Sequence, residues 1–561
     1  MLGFACGAAQ AQTPADAAEA GRQADILRRQ QEQQQIRDRE SFNPANRAPG
    51  GTDTRTLQPR PDASAAGAGC RNIEQIALDG ADNMPQAVRV QVAQKYAGRC
   101  LGVPEIEKIL GELTQYYVDR GFITTRAYLP AQDLRTGTLR LLIVEGKIEK
   151  ITLREEGRKN INPSRIFPSA GELLNLRDFE QGIDQLNKLN SNNATLDFLP
   201  GSTPGNTEVV VINKASSPYH AYLTIDNQGS AATGRIQLGV TLSADSLFNL
   251  NELILFTHRV ALPNDSASKQ SVSDSLTMVV PFGYSTLSLS ASRAKYVSTI
   301  VAPSNAILVT NGDSSTESIK LERVMYRDQT SRFTLATGLT RKEGNNYLAG
   351  QFLGVSSRTL TVLDVDAGLS TVLRGGVLTL DLGYSRGTNL FGALGDPSNL
   401  PANSPRAQFD KFRYGFGFNM PFTLAGERMV LNTQLTGQYS ADTLYGSEQM
   451  LIGGLYSVRG FVSSTLSGDN GYYVRNDLSW LTAMPAGKEK IPLRLYAGLD
   501  YGSVHNRVAG VPQGKLTGMA LGAALNLGKA TLDVSVTKPL GSPSFLRKEA
   551  AQYWATLRFN F

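Results

Sequence analysis

The chain has 561 residues, a formal charge of +6 and 41 % hydrophobic residues, and is too long for one small domain. No stretch reaches the roughly 20 apolar residues of a spanning helix, which excludes helical membrane spans but leaves strand spans open. The positive charge is spread along the chain, so it describes a solvated surface and not a nucleic-acid partner.

Residues 1–11 read as an incomplete signal peptide. They have a short apolar stretch and an Ala9-Gln10-Ala11 end suited to cleavage, but no basic start, as if the start codon were placed too far downstream. Cleavage after Ala11 removes Cys6 and leaves Cys70 and Cys100. An even pair in an exported chain is a disulfide candidate, set against two buried free thiols. Residues 12–40 contain a polar helix over 17–40, rich in Gln, with five acidic and five basic side chains. A helix polar all round belongs in water or in a wet cavity. Its 24 residues reach ~36 Å at ~1.5 Å each, enough to run the height of a barrel; a disordered tail is the other reading. Pro44, Pro49, Pro59, Pro61 and two adjacent glycines make 41–69 a flexible linker.

Residues 70–148 read as an α/β unit with a short strand at Ile73, Ile76 and Leu78 and helices over 84–97 and 104–120. Strands follow over 123–129 and 138–144. Ile106, Ile109, Leu110, Leu113, Tyr116 and Tyr117 form one stripe of the second helix, opened by Pro104 and closed by Gly121. Residues 149–215 repeat the order in shorter form: strand 148–154, helix 177–189, strands 194–199 and 207–214. A tandem of small modules is itself informative.

From 216 to 561 the pattern is strand after strand with apolar and polar residues alternating. Ile236, Leu238, Val240 and Leu242 alternate with Gln237, Gly239 and Thr241; Phe412, Tyr414, Phe416 and Phe418 alternate with Arg413, Gly415, Gly417 and Asn419. Such strands, closed on themselves, face lipid outside and water inside. Sixteen strands are expected, starting near 220, 233, 251, 273, 286, 317, 331, 358, 376, 409, 428, 471, 493, 515, 530 and 551. The fold class is therefore a transmembrane antiparallel β-barrel behind two small α/β domains and an N-terminal helix. The chain ends on the aromatic Phe561, in a last strand placed to close against the first.

A loop as long as 441–470 has a job or is floppy. Its glycines, in Gly453-Gly454-Leu455-Tyr456-Ser457-Val458-Arg459-Gly460-Phe461, allow a hairpin folded back into the lumen with Arg459 at its tip. An Arg in a narrow wet barrel needs a carboxylate, best held bidentately. Asp500 is the candidate: Leu495, Ala497, Leu499 and Tyr501 take the lipid face of its strand, so Asp500 points inward.

Val458-Arg459-Gly460-Phe461 resembles the loop motif of the Omp85 superfamily, and Gly498-Leu499-Asp500-Tyr501-Gly502 resembles its partner strand motif. The segment from Gly98-Arg99-Cys100-Leu101-Gly102 through Arg120-Gly121-Phe122-Ile123-Thr124-Thr125-Arg126-Ala127-Tyr128-Leu129-Pro130, with 137–146, resembles the first POTRA module of two-partner secretion transporters of the filamentous-haemagglutinin and haemolysin type. The resemblance covers essentially the whole mature chain. It implies a Gram-negative outer-membrane exporter with two periplasmic POTRA modules (70–148, 149–215) that capture an unfolded exoprotein bearing an N-proximal secretion domain. It implies that Arg459 locks to Asp500 and that the 17–40 helix fills the resting pore. Outer-membrane lipid is a partner, as are periplasmic chaperones and the barrel-assembly machinery during biogenesis. The alternative within the superfamily is a barrel-assembly insertase, which usually carries more modules and lacks the plug helix; a plain porin has no need of two periplasmic modules.

No catalytic, metal or cofactor site is expected. Gly383-Tyr384-Ser385-Arg386-Gly387 matches a nucleophile-elbow pattern but lies at the end of a barrel strand rather than in a strand-turn-helix. Gly528-Lys529 lacks phosphate-loop spacing and is followed by Ala530. His220, His258 and His505 are scattered. An enzyme fused to the barrel would need a catalytic domain that 12–69 is too short and polar to supply. With no nucleotide site, folding of the cargo outside is the expected drive; continued efflux of a cargo unable to fold would contradict it.

Overall fold

Alternating strands in lipid have one stable arrangement, and the computed structural model, which describes residues 14–42, 69–157, 161–301, 307–487 and 489–561, has it. Residues 1–11 with Cys6, and the linker from 43 to 68, lie outside the described residues. Sixteen antiparallel strands close into a barrel, from Tyr219–Asp226 to Gln552–Asn560; a two-residue strand, Gln351–Phe352, decorates the seventh. The last strand pairs with the first from Thr556↔Asp226 to Asn560↔Tyr222. Phe561, just past that strand, donates its N–H to Ala221 O at 2.9 Å.

Burial is inverted, as a barrel in lipid requires. On the second strand (Ile236–Asp245) Gln237, Thr241 and Ser243 are buried while Leu242 is 49 % exposed. The outward side ends in an aromatic ladder near the extracellular rim. Tyr384 faces Phe412 and Phe412 faces Tyr439 across adjacent strands, and the Tyr472 and Tyr501 rings lie 6.1 Å apart. Such belts sit at the membrane interface.

Strand starts fall within a few residues of those expected, except the sixth. It runs Ile307–Arg327 rather than from 317. The apolar alternation begins only at Ile319; Asn311, Gly312, Asp313, Ser314 and Ser315 are polar on both faces. They stay in the sheet by pairing with equally polar neighbours, Asp313 with Lys295 and Asn345, beyond the apolar belt.

In the first α/β module, Gln75–Asp79 pairs parallel with Thr138–Val144, which pairs antiparallel with Arg126–Tyr128. Helices Gln86–Tyr96 (α2) and Val103–Val118 (α3) cover the sheet, α1 being the N-terminal helix Pro14–Phe42. Ile106, Ile109, Leu113 and Tyr117 of α3 are buried against Leu139 and Leu141. Glu105 caps α3 by accepting from Gly102 N at 2.9 Å. Burial, and then the Glu145 carboxylate to which it donates at 2.8 Å, push the Tyr117 hydroxyl well above its ordinary range. Two features depart from the expected order. The strand expected over 123–129 shortens to Arg126–Tyr128, because Phe122 N returns to Tyr117 O and Thr125 N to Phe122 O in turns that end α3. An unexpected ladder pairs Arg71–Ile73 with Arg99–Leu101, and across it Cys70 and Cys100 are joined in a disulfide.

The second module keeps the expected order: Lys147–Glu156, helix Leu176–Leu186 (α4), Ala194–Pro200 and Asn206–Lys214. Asn175 caps α4 through Arg177 N. It joins the first module through Leu176 N to Gly121 O at 2.8 Å. It joins the barrel end that carries both barrel termini. Ser191 N donates to Asp245 at 2.9 Å, Arg327 to Asp184 at 2.7 Å, and Tyr284 to Asp178 at 2.5 Å. Burial at this joint raises the Asp178 carboxyl above its ordinary value.

The disulfide closes a segment with a sequence separation of 30. Replacing Cys70 and Cys100 by Ser should lower the unfolding free energy of this module by about 3 kcal/mol. Hydrogen exchange of the Ile73 and Leu101 amides in the intact chain reads the change; unaltered protection would contradict it.

Candidate functional site

The lumen holds α1. Its polarity, unsuited to a packed core, suits a wall of polar side chains. Near its start Ala20 packs with Leu348 and Leu353 at the extracellular rim; further along, Ala24 and Leu27 pack on Tyr296. Its polar contacts follow. Gln31 donates to Ser271 at 3.1 Å, Asp25 lies 3.7 Å from Arg358, and Asp38 lies 3.3 Å from Arg259, which is also paired with Asp226. The helix thus runs from the extracellular end down toward the periplasm. It leans on one side of the wall. On the other side a cavity of about 640 Å³ remains, bordered by Arg29, Gln33, Arg37, Lys320, Asp366 and Arg413.

The loop between the eleventh strand (Glu427–Ser440) and the twelfth (Asn470–Ala486) folds into the same space. Its stem is a small hairpin, Met450–Ile452 with Leu466–Gly468. Beyond the stem, Val458 and Phe461 are buried with Ile452, Leu466, Val504 and Leu516. Arg459 lies between them, turned to the wall. Its Nε donates to Asp500 Oδ2 at 2.6 Å, its Nη2 to Oδ1 at 2.7 Å, and its backbone N to Oδ2 at 3.0 Å. Asp500 is wholly buried on the thirteenth strand (Glu489–His505). Two glycines explain the fit. Gly460 has φ +102°, and a side chain there would strike the Lys538 backbone. A Cβ on Gly498 would collide with the Arg459 guanidinium, so the wall is recessed where the fork docks.

Several anchoring residues were not expected from the sequence. Asp477, on the twelfth strand, lies 2.7 Å from Arg459 Nη2, so the cation faces two carboxylates. Its inward direction was readable from strand alternation. Glu448 accepts from Lys342 at 2.7 Å and from Lys411 at 2.8 Å, both inward from the wall. Next to it, Gln449 O accepts from Arg29 of α1 at 2.6 Å, so the loop forms part of the surface on which α1 rests. Glu549 accepts from Val462, Ser463 and Ser464 N at 2.6–3.0 Å. Nothing in local sequence joins these distant positions. The decoy Ser385 lies within its strand, donating to Asp364 at 2.6 Å. Among the described residues no cluster of His, Cys, Asp and Glu has the geometry to hold a metal.

The family model for haemolysin secretion/activation protein ShlB/FhaC/HecB matches residues 205–525. A POTRA domain model of ShlB type matches 72–146, and a further POTRA model matches 147–200. The outer membrane transporter CdiB of Dickeya dadantii is 34 % identical over 487 residues, covering 86 % of this chain and 85 % of that protein. The hemolysin transporter ShlB of Serratia marcescens is 31 % identical over 482 residues, with 86 % and 84 % covered. The solved structure of CdiB from Escherichia coli superposes with TM-score 0.87 at 29 % identity, over 96 % of this chain and 98 % of that one. The chain belongs to the ShlB/FhaC/HecB family and is an outer-membrane transporter of two-partner secretion, with its POTRA domains in the periplasm.

Proposed function

We propose that this transporter exports one cognate large exoprotein, of the adhesin, haemolysin or contact-toxin kind, through the space that α1 occupies at rest. The observation that carries the reading is a charged helix, with only a short stripe of Ala20, Ala24 and Leu27 to bury, lying inside a membrane barrel beside a wet cavity. A plug held by scattered polar contacts is removable, because each contact it loses is replaced by water. The POTRA modules capture the unfolded cargo. Pairing with an exposed sheet edge suits that task, since main-chain hydrogen bonds tolerate many sequences.

The loop acts as a fixed lining of the pore, and the Arg459–Asp500 pair is its lock. Arg459→Ala leaves the Asp500 carboxylate buried without its cation, a change that costs about 3–5 kcal/mol in buried pairs. The variant should still insert as a closed barrel, with a lowered unfolding temperature, loop cleavage by added protease and secretion reduced several-fold. Wild-type secretion by that variant would show that the lock is dispensable.

The direct test is co-expression with the exoprotein encoded beside this chain, with and without residues 70–215. Cargo in the medium only when those residues are present supports capture by the POTRA modules. Retained cargo together with loss of other barrels from the outer membrane would favour an insertase instead.

A further inference from the structure

The second module sits off-centre beneath the barrel. Asn190 donates to Tyr222 of the first strand at 3.2 Å, Gln185 of α4 donates to Thr286 of the fifth at 3.0 Å, and Arg327, ending the sixth, donates to Gln181 of α4 at 3.1 Å. Thr286 and Arg327 are buried at this contact, so α4 lies against the mouth on that side. The opposite side of the mouth is a vestibule of about 620 Å³, walled by the eleventh to fifteenth strands. At Thr531 it meets a second cavity of about 400 Å³, bordered by Tyr496 and Asp533 and ending on Arg37 and Asp38 of α1. A path therefore leads from the periplasm to the lower end of α1.

The two sides differ in what they present to the lumen. On the side of α4 the inward residues are polar, among them Ser288, Lys320, Glu322 and Thr334. In the vestibule they are apolar. Leu481 is 38 % exposed on the inward face of the twelfth strand, with Ala483 and Pro485 following toward the periplasm. Pro492 stands across from Ala483, and Ala524 lies one strand further on. A barrel lumen of this kind is polar and wet, so bare apolar side chains in it mark contact with a partner. Two exposed cations flank this floor. Arg428 stands across from Thr423 and Leu481, and Lys490 across from Pro485. The Asp533 carboxylate is taken by Arg494 at 3.3 Å, and that of Glu427 accepts from Trp480 Nε1 at 2.9 Å on the outward face.

We infer that this vestibule is where the exoprotein enters the barrel, as an extended segment with apolar side chains against Leu481, Ala483 and Pro492 and carboxylates near Arg428 and Lys490. The inference rests on the proposed export through the lumen and adds the side on which cargo enters it. Continuity and chemistry fix the occupant. The vestibule joins the space that ends on α1, so whatever fills it stands in line for the pore. Its volume admits a stretch of chain and not a folded domain. An unfolded chain also bares the apolar residues that a folded one hides. A segment entering here meets Arg37 and Asp38 first, so displacement of α1 begins at the Asp38–Arg259 pair.

The test is photocrosslinking in cells that make the full-length chain and the exoprotein encoded beside it, with p-benzoylphenylalanine placed at Leu481, Ala483 or Thr334. Leu481 and Ala483 should each capture cargo about tenfold more than Thr334, on the inward wall by α4. The double change Arg428→Glu with Lys490→Glu should lower secretion several-fold while cargo still co-purifies with the transporter. Ala483→Asp is the second variant should the double change fail to give the heat-modifiable, closed barrel. Equal capture at all three positions, or capture at Thr334 alone, would leave cargo in the lumen and overturn the entry side. So would crosslinks from Leu481 and Ala483 that join only parts of this chain, which would give the vestibule another occupant. Normal secretion with no capture at any position would take down export through the lumen itself.

Discussion

A strand that faces lipid can send its backbone hydrogen bonds only to another strand. Everything else in this molecule follows from that constraint. The sheet must close, and closing sixteen strands encloses a space too wide for their own side chains to fill. Inward side chains are therefore polar and wet. A space of that kind accepts an element that no apolar core would accept, and α1 is such an element.

Within that space the anchors of the loop and of α1 differ in geometry. The Arg459 fork makes three short contacts to one wholly buried carboxylate, with a second carboxylate behind it. Removing either partner strands a charge in low dielectric. The helix α1 is held otherwise. Its ion pairs with the wall are longer, at 3.3 and 3.7 Å, and its carboxylates Asp38 and Asp25 keep 19 % and 17 % exposure. Their arginine partners Arg259 and Arg358 are 8 % and 6 % exposed, so these pairs are largely buried as well, and what distinguishes them from the Arg459 fork is the longer contact through a single nitrogen. Gln449, which accepts from Arg29, is where the loop and α1 meet, and Glu448 beside it is fixed by two wall lysines.

Most of the architecture was legible because a barrel writes a period-two pattern into every strand. That pattern faded where both faces of a strand are polar, which is why the sixth strand was read ten residues short at its extracellular end. The short ladder at Arg71–Ile73 was missed because three-residue strands carry too little alternation. Arg459 and Asp500 were singled out because glycines mark the turn of the loop and strand alternation turns Asp500 inward, and the two are hydrogen-bonded in the structure. Glu448, Lys342 and Lys411 were not readable, since what unites them is closure of the barrel and not their spacing.

The most direct measurement is a tether between plug and wall. A Cβ built on Gly21 of α1 lies 3.3 Å from Ser356 Cβ, in the loop after the seventh strand, close to the ~3.5–4.5 Å of a disulfide. With Gly21→Cys and Ser356→Cys, oxidation should stop cargo secretion and reductant should restore it, while each single variant secretes throughout. Secretion at the wild-type rate with the tether closed would contradict the claim that cargo passes through the space α1 fills.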